Sequence, residues 1–381
     1  MAVLSRGSRK SKSLLEKISE LNWLIILTVV MIAAFGFALL YSVAGGSFDP
    51  WAKKQMIRFA IGLCGMLVIA LVDIRVWMAM AYPIYFLSLC LLGVVEFSGQ
   101  MGMGATRWVN LGFMNLQPSE LMKLALILAL ARFYHCLSNE EVLGYKQLLI
   151  PLLLIIAPAI LVLRQPDLGT TLLIVMGGIF ILFAAGVRMW IFVVGFLAMI
   201  PAMFGAWQFM KPYQQSRVLT FLNPERDPLG AGYHTIQAKI ALGSGGVYGK
   251  GFMQGSQSQL NFLPEKHTDF IFTVLGEEFG LMGGLGLLTL YLILLSYALI
   301  VGLSVRSQFG RLLILGIAVT LFLYVFINIA MVMGLVPVVG VPLPLVSYGG
   351  SAMLTLLVGI GFMLNVAIHR DTVISRGGAF A

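Results

Sequence analysis

Acidic residues are scarce in this chain, and one of them, Asp269, stands where a carboxylate could take up a proton. The stretch Leu263-Pro-Glu-Lys-His-Thr-Asp-Phe-Ile-Phe272 sets a polar run ending in Asp269 against one of the longest apolar segments of the sequence. Charged residues make up 11% of the chain, against about 25% in soluble proteins. An ionisable group at the edge of an apolar segment is therefore a functional-site candidate. A carboxylate there can accept a proton from a hydroxyl nucleophile, with Lys266 and His267 close before it. The competing reading is structural: Thr268 caps a helix and Asp269 sits in its first turn, where the helix dipole favours an anion.

Other polar residues gather near the same side. Gln117-Pro-Ser-Glu120 opens an apolar run with Glu120 three residues before Lys123, a spacing that puts both on one helix face. That pair serves either structural pairing or substrate contact. Arg164-Gln-Pro-Asp-Leu-Gly169 makes a tight connection carrying Asp167. Arg107-Trp108 supplies either a phosphate fork with a sugar-stacking ring or an interfacial anchor. Glu277 and Glu278 lie roughly 80° and 180° around a helix from Asp269, and read first as buried hydrogen-bonding or partner-contact residues.

The run Gly243-Ser-Gly-Gly-Val-Tyr-Gly-Lys-Gly251 is not a nucleotide-binding loop. Ser244 holds the place of the required glycine, and Gly251, not Ser or Thr, follows Lys250. Its amides could still meet a pyrophosphate, with Lys250 beside them. Residues 334–351, with three prolines and four glycines, imply a bent or re-entrant element with Ser347, Tyr348 and Ser351 as polar handles. His135, His234, His267 and His369 have no ligand spacing, and Cys64, Cys90 and Cys136 no paired spacing. Neither a protein-built metal site nor a disulfide framework is expected.

These residues must be positioned by membrane helices. The chain of 381 residues is 59% hydrophobic and holds many runs of the ~20 apolar residues needed to cross a bilayer. The expected fold is an all-α polytopic membrane protein of about ten transmembrane helices, near 24–44, 56–73, 77–96, 118–135, 148–163, 169–187, 189–209, 269–305, 311–335 and 350–368. The run 269–305 would extend to ~55 Å as a helix, so either Asp269 stands above the lipid or the helix breaks at Gly283-Gly284.

A basic tail (Arg6, Arg9, Lys10, Lys12) precedes an amphipathic stretch in 13–23, which places the N-terminus, and with an even number of spans the C-terminus, in the cytoplasm. The chain reads as one membrane domain, 1–381, with a basic and amphipathic cytoplasmic segment at 1–23 and a long extracytoplasmic loop at 210–268. The net charge of +9 is then a topology signal plus a cationic outer loop, and nucleic acid is not an expected partner.

The blocks Gln165-Pro-Asp-Leu-Gly-Thr170, Asn223-Pro-Glu-Arg-Asp-Pro-Leu-Gly230, Leu263-Pro-Glu-Lys-His-Thr-Asp-Phe270 and Pro342-Leu-Pro-Leu-Val-Ser-Tyr-Gly-Gly-Ser351 together resemble the SEDS family (shape, elongation, division and sporulation). The Gln165-Pro-Asp-Leu-Gly-Thr170 block and the run Gly340-Val-Pro-Leu-Pro-Leu-Val-Ser-Tyr348 are more similar to its elongation branch than to its division branch. The resemblance implies a glycosyltransferase of the bacterial cytoplasmic (inner) membrane that polymerises lipid II into glycan strands during elongation and rod-shape maintenance. It implies the acid at 269 as the base, a class B penicillin-binding protein as the working partner, and other elongation-machinery membrane proteins as neighbours.

In that chemistry the 4-hydroxyl of one GlcNAc attacks the anomeric carbon of a MurNAc, and undecaprenyl pyrophosphate leaves. Asp269 takes the proton, and the departing diphosphate needs cations or amides. Arg107, Arg217, Lys239, Lys250 and Lys266 are outer-side candidates, with a divalent cation (Mg or Mn) as an optional assistant. No second acid is placed as a nucleophile, so inversion is expected. A lipid II flippase without polymerase chemistry is the competing class. Transporters commonly show inverted repeats with midplane sites, whereas here the polar residues weight the outer face. A scaffold would not need so many outer acids.

Overall fold

The computed structural model describes residues 13–98, 100–102, 105–110, 115–209, 215, 219–221, 231–260 and 265–376. The long helices are α1 (Trp23–Val43), α2 (Ala52–Leu71), α3 (Ile74–Ser98), α4 (Pro118–Cys136), α5 (Lys146–Arg164), α6 (Leu168–Ala185), α7 (Met189–Phe209), α8 (Ala231–Ser244), α9 (Ile271–Ser304), α10 (Gln308–Val332) and α11 (Gly350–Ile368). Eight of them, all but α4, α7 and α8, are long and apolar enough to cross a membrane. Helix α4 carries Glu120, Lys123 and Arg132, and α7 is apolar mainly over Met189–Pro201. Among the described residues the fold is helical except for one small antiparallel sheet, β1 (Gln100–Gly102), β2 (Ala105–Asn110) and β3 (Asn115–Leu116), in the order β1-β2-β3.

Helices α10 and α11 form the centre, with 72% of their apolar window buried against 28% for α2 and α5. Apolar side chains on every face suit a central helix, and α10 buries Phe309, Leu313, Ile317, Leu321 and Val325. Helix α2 lies along α11, α3 along α4, and α9 against α10 and α1. Gly36 of α1 lets the segment between α10 and α11 approach closely, since a Cβ there would lie 2.8 Å from the Val346 Cα. Gly169 does the same on α6, where a Cβ would meet the Val339 carbonyl oxygen at 2.6 Å. The 334–349 segment is thus wedged between helices, with Leu345 in the left-handed region at φ 63°. At the N-terminal end a short helix, Leu14–Ser19, begins with a Ser13–Glu16 capping box, and Lys17 Nζ donates to the Leu71 carbonyl at 2.8 Å.

One expectation is corrected. The break in α9 falls at Gly280 (φ 64°, ψ −159°), not at Gly283-Gly284. The glycine-rich run after α8, read from sequence as amides that could meet a pyrophosphate, packs against that break. A break of this kind strands backbone groups that would otherwise pair along the helix, and here the run pairs four of them. Lys250 and Gly251 N–H donate to the Glu277 and Glu278 carbonyls, both at 3.0 Å, while Leu281 and Met282 N–H donate to Gly246 and Val247 at 3.0 and 3.1 Å. The two backbones are so close that a Cβ on Gly245, Gly249 or Gly280 would collide with Gly276, Glu278 or Gly249.

Candidate functional site

Asp269 lies in the turn before α9. The helix begins at Ile271 with Phe270 at its N-cap and no side-chain cap, which removes the capping reading of Thr268. The Thr268 hydroxyl instead donates to the Glu265 carboxylate at 2.9 Å. Three contacts from other elements hold the turn. Asn328 in α10 donates through Nδ2 to the Asp269 carbonyl at 2.9 Å and to the Val341 carbonyl at 2.7 Å. The Ser347 hydroxyl donates to the Thr268 carbonyl at 2.6 Å and accepts from Leu343 N–H at 2.7 Å. Tyr348 N–H donates to the His267 carbonyl at 2.9 Å.

Above this turn opens a cavity of about 420 Å³, within the ~300–1,000 Å³ typical of ligand sites. Among its lining residues are Arg107, Trp108, Gln117, Glu120, Lys123, Asp167, Glu265, Asp269 and Tyr348, with Gly340, Val341 and Pro342 closing one side. Six of the residues singled out from sequence, Arg107, Glu120, Lys123, Asp167, Asp269 and Tyr348, therefore share one wall system. A small pocket of about 20 Å³, also lined by Glu120, Lys123 and Tyr324, continues beneath them.

The four acids of the cavity differ in what they hold. Asp167 caps α6, accepting from Thr170 N–H at 3.1 Å and the Thr170 hydroxyl at 3.0 Å, and takes a further bond from Gln117 Nε2 at 3.2 Å. Glu120 accepts from Lys123 at 2.6 Å and from the Tyr324 hydroxyl at 2.7 Å, and Lys123 also bonds that hydroxyl. Glu265 holds Thr268. The Asp269 carboxylate receives no hydrogen bond among the described residues, and its Oδ2 would lie 3.4 Å from a Cβ on Gly340. Burial, then the charges of Glu265 and Asp167, push its pKa up to about 6 against the opposing pull of Arg107.

Arg107 is tied down: Nε donates to the Gln165 carbonyl at 3.1 Å and Nη2 to the Pro166 carbonyl at 2.5 Å, with Asp167 at 3.9 Å. The remaining candidates lie off the cavity wall. Lys250 pairs with Glu277 at 2.7 Å and donates to Ser256 at 2.9 Å, so its expected place beside a diphosphate is corrected to a place beside the helix break. Lys239 is exposed, over the turn at Gly334. Lys266 is buried, which lowers its pKa. His267 stacks on Trp51 at 4.6 Å and 18°, and burial lowers its pKa, opposed by Glu265. Ser347 spends its hydroxyl on the backbone bonds above. Arg217 and the 223–230 block fall outside the described residues. Among the described residues no three His, Cys, Asp or Glu side chains converge to hold a metal ion.

Sequence reasoning passed over Asn328, Tyr324 and Glu265. The first two had a signal. Asn328 is a lone amide within an apolar helix, a position where a polar group is expensive, and Tyr324 lies four residues before it on the same face. Glu265 was hidden in the polar run that drew attention to Asp269.

Comparison with known proteins shows the family. The chain matches the FtsW/RodA/SpoVE cell cycle protein family over residues 18–372. It is 44% identical over 353 residues to the peptidoglycan glycosyltransferase MrdB of Escherichia coli K12, covering 91% of this chain and 93% of that one. It is 37% identical over 366 residues to a probable peptidoglycan glycosyltransferase FtsW of Trichlorobacter lovleyi, covering 92% and 94%. Among solved structures, a peptidoglycan synthase complex described as coordinating polymerization and crosslinking superposes with TM-score 0.82 at 33% identity, over 93% of this chain and 99% of that one. The rod shape determining protein RodA of Thermus thermophilus superposes with TM-score 0.69 at 29% identity, over 93% and 98%. The chain is a member of the FtsW/RodA/SpoVE family, the SEDS family, and RodA-type proteins are among its most similar relatives.

Proposed function

We propose that this protein polymerises lipid II into glycan strands at the outer face of the bacterial inner membrane during elongation and rod-shape maintenance, with Asp269 as general base. In this reading ten helices span the bilayer, both termini are cytoplasmic, and 210–268 is extracytoplasmic. The observation that carries it is the contrast among the cavity acids: Glu120, Asp167 and Glu265 hold donors of the protein, while the Asp269 carboxylate is unclaimed among the described residues. A carboxylate with a pKa near 6 is mostly ionised at neutral pH yet basic enough to take a hydroxyl proton as the nucleophile attacks.

The step is a single displacement. The acceptor 4-hydroxyl oxygen forms the new bond to the anomeric carbon, its proton passes to an Asp269 oxygen, and the bond to the diphosphate breaks with its electron pair leaving on the diphosphate. Because Asp269 acts on the acceptor and no second free carboxylate faces it among the described residues, the anomeric centre inverts. Trp108 offers a flat face to a sugar ring. A class B penicillin-binding protein, crosslinking the emerging strands, is the partner that this activity calls for, consistent with the synthase complex among the structural relatives.

The test is incubation of the purified protein, with and without such a partner, with lipid II in detergent, followed by separation of products by length. Chains whose formation requires Asp269 support the reading. Movement of lipid II across vesicles without chain growth would replace it with a transporter.

A further inference from the structure

The reaction proposed above develops charge on a departing diphosphate, and the structure has already committed the cations that line the cavity. Arg107 is spent on two backbone carbonyls beside Asp167, and Lys123 on Glu120 and Tyr324. Lys250, proposed from sequence for this task, sits with Glu277 at the helix break.

Arg58 differs from all three. It lies in the second turn of α2, half-buried, and among the described residues it makes no hydrogen bond and no ion pair. What it does make is a ring contact: its guanidinium carbon sits 5.3 Å from the centre of the Tyr348 ring. The same carbon would lie 3.0 Å from a Cβ on Gly350, so the group occupies space that the glycine leaves. Tyr348 and Gly349 are cavity-lining residues. Three residues earlier on α2, Gln55 grips the same wall, donating to the Ser347 carbonyl at 2.9 Å and accepting from Gly349 N–H at 3.4 Å. The neighbouring α2 residues Ile57 and Ile61 are exposed, toward lipid in a membrane helix. The guanidinium thus stands between the lipid-facing side of α2 and the wall of the cavity that holds Asp269.

A half-buried guanidinium with no carboxylate beside it among the described residues is only partly compensated by an aromatic face. Its planar fork of donors matches phosphate oxygens. We infer that Arg58 binds the diphosphate of the lipid-linked sugar, holding the leaving group at the membrane edge of the cavity while the sugars lie toward Asp269. This subsite rests on the glycosyl-transfer reading for its substrate, but on Arg58, Tyr348 and Gly350 for its place.

Phosphate oxygens could also come from an anionic phospholipid headgroup, and the experiment separates the two. Binding of undecaprenyl pyrophosphate and of phosphatidylglycerol to the full chain in detergent is measured for the parent protein, Arg58→Gln and Arg58→Lys. A lost charged hydrogen bond is worth about 1.5–3 kcal/mol. Arg58→Gln should therefore weaken diphosphate binding roughly tenfold to a hundredfold, leave phosphatidylglycerol unchanged, and raise the KM for lipid II. Arg58→Lys, which keeps the charge and loses the fork, should fall between, and it serves alone if the glutamine variant does not fold.

Unchanged diphosphate affinity in both variants, or an equal loss for phosphatidylglycerol, overturns the inference. A parent protein that makes glycan chains with kinetics indifferent to Arg58 overturns this subsite alone. One that binds the diphosphate through Arg58 but makes no chain overturns the polymerase reading and leaves the subsite standing.

Discussion

Two groups of acids lie within ten residues of each other around the start of α9, and they are used in opposite ways. At the helix break, Glu277 is fully buried and saturated: Lys250 Nζ at 2.7 Å, Gln257 N–H at 2.9 Å and the Ser256 hydroxyl at 3.3 Å all donate to it. Beside it Glu278 accepts from the Ser42 hydroxyl through one oxygen, while its Oε2 is buried without a hydrogen-bond partner among the described residues. At the cavity, Asp269 is held by its backbone carbonyl while its carboxylate has no donor among the described residues. Burial of an acid therefore does not mark chemistry here. The proposed role of Asp269 rests instead on a side chain whose position is fixed through its main chain, whose carboxylate has no donor among the described residues, and which lines an open cavity.

That contrast can be broken most sharply at Asp269. Asp269→Asn should abolish chain formation from lipid II, a loss of at least the ~10²–10⁴-fold that a general base contributes, while expression and partner binding persist. Near-parental polymer length and yield would remove Asp269 from the role of base. On the other side, Glu277→Ala leaves Lys250 beside a vacated pocket. Breaking a buried pair costs about 3–5 kcal/mol, and Lys250 reaches solvent in part (28% exposed), so a loss nearer 2–3 kcal/mol is expected in thermal unfolding. If Glu277→Ala instead ended polymer formation with the melting profile intact, the two acid groups would not divide as argued.

The pH dependence sharpens the comparison further. A base with a pKa near 6 gives a rate that is level above that pH and falls about tenfold per unit below it, read from kcat/KM for lipid II between pH 5 and 8.

The smallest effect is on stability. The Asp269 pKa is raised in the folded state, so folding favours its neutral form. That contribution is complete below the unfolded carboxylate pKa and is lost as pH rises through about 6. A rise from 3.8 to about 6 corresponds to about 3 kcal/mol without solvent screening, and because Asp269 is only half-buried Asp269→Asn should be more stable than the parent by about 1–2 kcal/mol above pH 6, with the gap closing toward pH 4. A gap that grows on acidification would contradict burial as the cause of the shift.

Much of this architecture is legible in the residues. Apolar runs of bilayer length locate the helices because composition alone decides whether a segment can lie in lipid, and five of the six residues that meet in the cavity were marked by charge in an apolar chain, the sixth, Tyr348, by the Pro- and Gly-rich segment that carries it. The misreadings share a cause, since they depended on which backbone groups would be left unpaired. The glycines of 243–251 look equally suited to a ligand and to a broken helix, and only the fold shows that Gly280 creates the need they fill. Lys250 followed them to the wrong place. Thr268 has the chemistry of a cap, but the hydroxyl of Ser347 and the amide of Asn328, 79 and 59 residues away in sequence, draw its turn out of helical geometry.

The paired break in α9 also has a mechanical meaning. Interrupted helices are often pictured as joints, yet all four backbone bonds from the glycine run would have to part for this one to flex, at about 0.5–1.5 kcal/mol each, and no side chain fits between the surfaces to lubricate the motion. The interruption is a weld. The residues on both sides of Gly280 are fused to the stretch of chain that follows α8, so a push delivered to that stretch would be passed along α9 toward Asp269 instead of being absorbed at Gly280.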